Sequence, residues 1–299
     1  MQRTLLCRSR ASLAATGVVL CGALASLSLV SSPTASAATP VTVGVVGDAS
    51  ALSSATGVAM PIHAYGQMSG SVPSGAMISM HSGVSWRTVS SAAPGSAVYN
   101  DIVRWATTLK ARGGTQIVGF HHEPEASGNT ALGTSSEYVA AYRKVVSIFR
   151  GAGAANVQFA WQMTGYAFNV ASGDARAAAK WYPGDDVVTY VASDPYNFFT
   201  CGPGRNVWRE LSDVAGGSLT FATAHGKRLI LAEFASQVDG SNAARRAAWL
   251  SAATSWMVAN RASIAAVYYF NTAHRSTCQF PLKTSTEFGL YASLSRSLG

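Results

Sequence analysis

The chain is short of charge, and shortest of acid: 14 Asp and Glu stand against 22 Lys and Arg in 299 residues. The basic residues are scattered, and the densest group, Arg245-Arg246, falls in a helix-like stretch. Without a Lys/Arg run the chain lacks the electrostatic footprint of nucleic-acid binding, so no nucleic acid is expected as a partner. No C-x-x-C occurs, which removes the usual spacing of a structural zinc site. The first strand-to-helix turn, "GVVGDASALSS", carries no G-x-G-x-x-G and so argues against a dinucleotide fold. Neither H-E-x-x-H nor G-x-S-x-G is present, which argues against a zinc protease and a serine hydrolase.

The start of the chain has its own character. Arg3, Arg8 and Arg10 precede the apolar run "LAATGVVLCGALASLSLV", and Ala35-Ser36-Ala37 follows. A basic start, an apolar stretch and an A-x-A site are the marks of a secretory signal. Residues 1–37 are therefore expected to be a signal peptide cleaved after Ala37, leaving one domain over 38–299. A membrane anchor competes, because the run nears the length of a span, but the cleavage site favours export without stable membrane association. The remaining 19 basic and 14 acidic residues leave a net charge of about +5. Two cysteines, Cys201 and Cys278, survive cleavage, and in an exported chain a pair is most simply a disulfide.

What the sequence has in plenty is alternation. Short apolar, β-branched runs at 41–47, 60–65, 76–81, 116–121, 157–163, 187–192, 228–234 and 264–270 read as eight strands. Between them lie helical patterns. Ile102, Trp105, Ala106 and Leu109 form one stripe, and Tyr138, Tyr142, Val145 and Phe149 another. The second begins with a capping box, Thr134 and Glu137. A third helix, after 241, reads as capped by Ser241 or Asn242. Strand–helix alternation implies a parallel sheet with helices outside. Eight units in this length predict an α/β fold, a (β/α)8 TIM barrel.

In such a barrel, function gathers where the strands end. Strand three ends in His81 and strand four in His121, His122, Glu123 and Glu125. Strand five carries Trp161 and Gln162, and strand six leads to Asp194, Tyr196 and Asn197. Glu233 lies in strand seven, and strand eight ends in Tyr269, Phe270 and Asn271, with His274 beyond. With so few acids, a glutamate flanked by Leu231, Ala232 and Phe234 is costly to bury without a role. Two facing carboxylates with aromatic walls are the apparatus of glycoside hydrolysis. Trp86, Trp161, Trp181 and Tyr196 are candidate walls. A metal site in the His-Glu cluster is disfavoured, since adjacent strand residues point to opposite faces.

The segments "FHHEPE", "YPGDDVVTYVASDPYNF" and "LILAEFAS" resemble family 26 glycoside hydrolases of clan A, over about residues 41–290. The resemblance implies a retaining, cofactor-free enzyme acting on a polysaccharide, with β-1,4-mannan first and glucan or xylan open. A non-catalytic sugar-binding barrel is the alternative. The resemblance implies Glu123 as acid/base, Glu233 as nucleophile and Tyr196 as a hydrogen-bond partner of that nucleophile; His81, His122, Trp161, Tyr196 and Phe270 are expected to contact substrate. Pro124 is expected to end strand four and leave Glu125 as a loop or rim residue. Where the resembled enzymes carry a Trp after the acid/base, this chain has "PEASGN", and strand eight lacks their Trp. A secreted monomer is expected.

Overall fold

A computed structural model describes residues 40–273 and 278–299. The leader at 1–37 and His274 lie outside the described residues. Eight parallel strands form the core: β1 (Thr42–Gly47), β2 (His63–Gln67), β3 (Met77–His81), β4 (Gln116–Phe120), β5 (Val157–Thr164), β6 (Tyr190–Asp194), β7 (Arg228–Ser236) and β8 (Ile264–Asn271). They pair in the order β1-β8-β7-β6-β5-β4-β3-β2. A parallel bridge between Val45 and Ile62 then brings β2 back to β1, so the sheet is a nearly closed (β/α)8 barrel. A two-residue strand, Tyr196–Asn197, adds to the end of β7.

The described residues form seven α-helices, in chain order α1 (Ser50–Thr56), α2 (Trp86–Ser90), α3 (Ala97–Arg112), α4 (Ser135–Gly151), α5 (Leu211–Ala224), α6 (Arg245–Ala259) and α7 (Ser285–Leu298). The two predicted stripes are buried, Ile102 to Leu109 on α3 and Tyr138 to Phe149 on α4. Burying side chains of this size stabilises by roughly 2–3 kcal/mol each. The capping box at α4 forms as the sequence predicts: Glu137 N–H donates to Thr134 Oγ1, and Thr134 N–H to Glu137 Oε2. The start of α6 differs. Its N-cap is Ala244, and Ser241 instead donates to Asp239 in the preceding turn. Asn242, the other cap candidate, accepts from the Ala244 N–H ahead of the helix. A buried ion pair, Arg246 to Glu287 at 2.6 Å, joins α6 to α7.

Two strands shift from their expected places. Pro61 lacks the N–H a ladder needs, so β2 begins at His63 rather than Met60. β6 runs on to Asp194, a residue that disfavours strands, because its carboxylate is buried and hydrogen-bonded inside the barrel. Among the described residues no helix is long and apolar enough to cross a membrane.

Side chains divide by strand parity. On β5, Phe159, Trp161 and Met163 join the large apolar cluster beneath the helices. Ala160 joins a smaller cluster with Met77, Ala192, Ile230, Ala266 and Tyr268, which fills the space the strands enclose. Small residues there leave room for polar groups above them. A disulfide links Cys201 to Cys278 and ties the chain beyond β6 to the chain beyond β8.

Candidate active site

The strand ends converge on a cavity of about 510 Å³ lined by Tyr65, Gln67, His81, His122, Glu123, Tyr196, Phe198, Glu233 and Phe270, with Gly66 between. Glu233 stands in its floor, 6% exposed. Tyr65 donates to its Oε1 and Tyr196 to its Oε2. Burial pushes the Glu233 carboxyl up from its ordinary range, and the two tyrosines oppose that by stabilising the carboxylate. Burial also lifts both tyrosines well above their usual range, so both keep the proton they donate.

Glu123 reaches the cavity through an unusual backbone. β4 ends at Phe120, one residue earlier than the sequence suggests. His121 and Glu123 then take left-handed conformations, φ 50° and 47°. Non-glycine residues hold such angles only when surrounding bonds impose them. Here Tyr138 of α4 donates to the Phe120 carbonyl, His121 N–H to Met80, and Glu123 N–H to Gln162. Asn129 donates to the Glu123 carbonyl from the following turn. The kink separates the paired histidines. His121 is buried beside Ser82 and Trp86, while His122 lines the cavity.

His122 Nδ1 lies 3.1 Å from His81 Nε2. Burial pushes His81 down to about 4 and His122 well below its usual range, and neighbouring histidines lower each further. The pair is therefore neutral near pH 7, one ring donating to the other. Among the described residues no group of three or more His, Cys, Asp or Glu is placed to hold a metal ion. No Lys or Arg lines the cavity among them either.

Of the residues singled out from the sequence, Glu123, Glu233, His81, His122, Tyr196 and Phe270 share this cavity. Trp161 does not. It is fully buried on the helix side, against Phe168, Tyr182 and Phe221. Its neighbour Gln162 faces inward, so strand parity sends Trp161 out. Trp86 and Trp181 pack on each other in the core, 5.7 Å apart. Glu125 is not on the rim. It is 3% exposed and accepts from the N–H and hydroxyl of Thr164, at 2.8 and 2.5 Å. Sequence reading passes over Tyr65, Gln67 and Phe198. Tyr65 closes the apolar run "MPIHAY", and that position at a strand end was the available signal.

Tyr196 rests on an aromatic bed. Phe280, Phe198 and Phe270 have ring centroids 4.9, 5.2 and 5.6 Å from it. Phe198 and Phe280 stand close in sequence to the two bonded cysteines, so the disulfide holds both sides of this bed.

Fold and cavity define a class: a parallel eight-stranded α/β barrel with two glutamates in a polar and aromatic cavity at its C-terminal edge. The barrel is similar in fold to those of family 26 glycoside hydrolases. A GH26 β-mannanase from Bacteroides ovatus superposes with a TM-score of 0.58 at 15% identity, covering 86% of this chain and 88% of that one. An endo-β-1,4-glucanase from Xanthomonas axonopodis pv. citri, a triple mutant, gives 0.59 at 12% identity over 86% and 99%. In sequence, a protein named endoglucanase H from Acetivibrio thermocellus is 33% identical over 159 residues, 51% of this chain. The chain spans 17% of that relative's length. No protein-family model matches the chain.

Proposed function

We propose that this protein is an exported, retaining glycoside hydrolase that cleaves a neutral β-linked polysaccharide, with β-1,4-mannan as the first substrate. The observation that carries it is the Glu233 carboxylate, buried in the cavity floor and held at both oxygens by Tyr65 and Tyr196. A group clamped this way is aimed and cannot rotate, as a nucleophile needs. Glu123 lines the same cavity and supplies the second carboxyl.

In the reaction, Glu233 attacks the anomeric carbon while Glu123 protonates the departing sugar oxygen. A glycosyl ester on Glu233 results. Glu123, now ionised, removes a proton from water, which attacks the same carbon and releases Glu233. The cavity walls suit a neutral sugar. Phe198, Phe270 and Tyr196 offer ring faces, while His81, His122 and Gln67 offer hydrogen bonds. With no lysine or arginine in the described lining, phosphorylated or uronate chains would find no counter-charge. The basic start, apolar run and A-x-A pattern within residues 1–37 support export.

A second substrate, β-1,4-glucan, is favoured by the sequence relative named endoglucanase H. Release of reducing ends from mannan, mixed-linkage glucan, xylan and chitin separates these. Mannan cleavage that is lost in both Glu123→Gln and Glu233→Gln is expected. Cleavage undiminished in both variants would overturn the assignment and leave a sugar-binding barrel.

A further inference from the structure

Beneath the carboxylates, four polar side chains from four strands form one continuous chain. His63 Nδ1 faces the Ala232 carbonyl at 2.8 Å, and its Nε2 faces Ser79 Oγ at 2.9 Å. Ser79 Oγ lies 2.7 Å from Gln162 Oε1, and Gln162 Nε2 lies 3.0 and 2.9 Å from the two Asp194 oxygens. None of the four is more than 3% exposed. Gly119 leaves the passage open, since a Cβ there would come within 3.0 Å of Ser79 Oγ.

Donors and acceptors along this chain can be counted. The Ala232 carbonyl only accepts, so His63 Nδ1 carries a proton in every arrangement. If Ser79 donates to Gln162, its proton is spent and His63 Nε2 must donate as well. His63 is then an imidazolium and Asp194 a carboxylate. The alternative reverses every bond. Asp194 carries the proton and donates to Gln162 Oε1, the turned amide donates to Ser79, and Ser79 donates to His63 Nε2. Rotating the carboxamide by half a turn exchanges its donor and acceptor in nearly the same shape. Both arrangements hold the same number of protons and bond every link of the chain; in the second, one Asp194 oxygen and one amide hydrogen give up their mutual bond. They differ only in which end holds one proton.

We infer that this chain holds a single shared proton, resident on Asp194 while Glu233 is charged and transferred to His63 when Glu233 loses its charge. One negative charge then stays in the floor of the site through both halves of the reaction, on Glu233 first and on Asp194 while Glu233 is esterified. His63, Ser79, Gln162 and Asp194 are positioning residues in this scheme, since they act through Glu233. The amide as placed, Oε1 toward Ser79 and Nε2 toward Asp194, matches the charged arrangement; the surroundings favour the neutral one in the resting protein, which takes the turned amide. Burial, then Glu233, then Glu123 drive the Asp194 carboxyl well above its usual range, against the opposing Gln162 hydrogen bond and with a smaller push from Glu125. Burial pushes His63 down to about 4, the Ala232 carbonyl opposes this, and His81 adds to it. Around His63 also stand the Tyr65 hydroxyl, 3.4 Å from Nδ1, and the Tyr268 ring at 5.5 Å. The tie to turnover rests on the double-displacement reading, whereas the position of the proton does not.

The test reads protons rather than turnover. Nitrogen NMR of the histidine-labelled protein near pH 7 is expected to show His63 protonated at Nδ1 alone in the wild type. In Glu233→Gln, which removes the charge and keeps the shape, both His63 nitrogens are expected to carry protons. Adding Ser79→Ala to that variant breaks the chain, and His63 is expected to return to neutral. An unchanged His63 signal in Glu233→Gln, or an imidazolium in the wild type, overturns the inference. So does an imidazolium that survives the Ser79 change. Infrared difference spectra of wild type against Asp194→Asn give an independent reading if Glu233→Gln folds poorly. They should show a protonated carboxyl, and a carboxylate would refute the scheme. Polysaccharide cleavage enters none of these readings, so the hydrolase assignment and the shared proton can fail separately.

Discussion

At the scale of single residues, the site depends on hydroxyls that hold a carboxylate. Tyr196 donates to Glu233 Oε2, and a hydrogen bond to a charged group contributes about 1.5–3 kcal/mol. Tyr196→Phe is therefore expected to lower kcat roughly 10- to 100-fold, with a smaller change in KM. Because the Tyr196 bond lowers the Glu233 pKa, its loss moves the acid limb of the kcat profile to higher pH. Steady-state kinetics across pH check both. A profile that stays in place would separate Tyr196 from Glu233. Much at this scale was legible in the sequence. Glu123 and Glu233 announced themselves as charges at the ends of apolar runs in an acid-poor chain. The inward-facing His63 and Ser79 did not, because a polar residue within a short run looks the same from sequence whether it faces solvent or a barrel interior. Trp161 was misplaced for a related reason: aromatic character suggested a sugar platform, while strand parity with Gln162 already pointed it outward.

At the scale of elements, the ends of β4 and β5 are joined by Glu125. Burial raises its pKa from 4.5 to about 7, with the Thr164 bonds opposing. Folding thus favours the protonated carboxyl. The stability it contributes is complete below about pH 4.5 and is lost as pH rises toward 7. The span corresponds to roughly 3 kcal/mol. Urea unfolding of the wild type is expected to show this decline between pH 5 and 8, and Glu125→Gln to flatten it. Equal pH dependence in both proteins would place the burden elsewhere. Strand identity was readable from apolar runs and helix identity from stripes and caps, as at Thr134 and Glu137. Strand ends were less so. β6 extends to Asp194 because a tertiary hydrogen bond overrides local preference, and β4 stops before His121 because contacts from α4 and β3 impose a kink that no local pattern encodes.

At the scale of the molecule, the barrel brings together residues 110 positions apart, and one covalent tie crosses its mouth. The Cys201–Cys278 disulfide closes a 77-residue separation, worth about 4 kcal/mol in the chain-entropy account. Cys201→Ser with Cys278→Ser is expected to lower the melting temperature by several degrees and to reduce kcat, since the bed beneath Tyr196 loosens. Calorimetry and kinetics on the same samples test the two effects, and full activity in a destabilised protein would show the bed to be independent of the tie. The central claim is that Glu233 forms a covalent bond to the sugar. Incubation with a 2-deoxy-2-fluoro mannosyl or glucosyl donor bearing a good leaving group, followed by mass spectrometry of the digested protein, tests it most directly. The account predicts one added glycosyl group, on the peptide containing Glu233, together with loss of activity. An adduct on another residue, or cleavage with inverted anomeric configuration and no adduct, would contradict it.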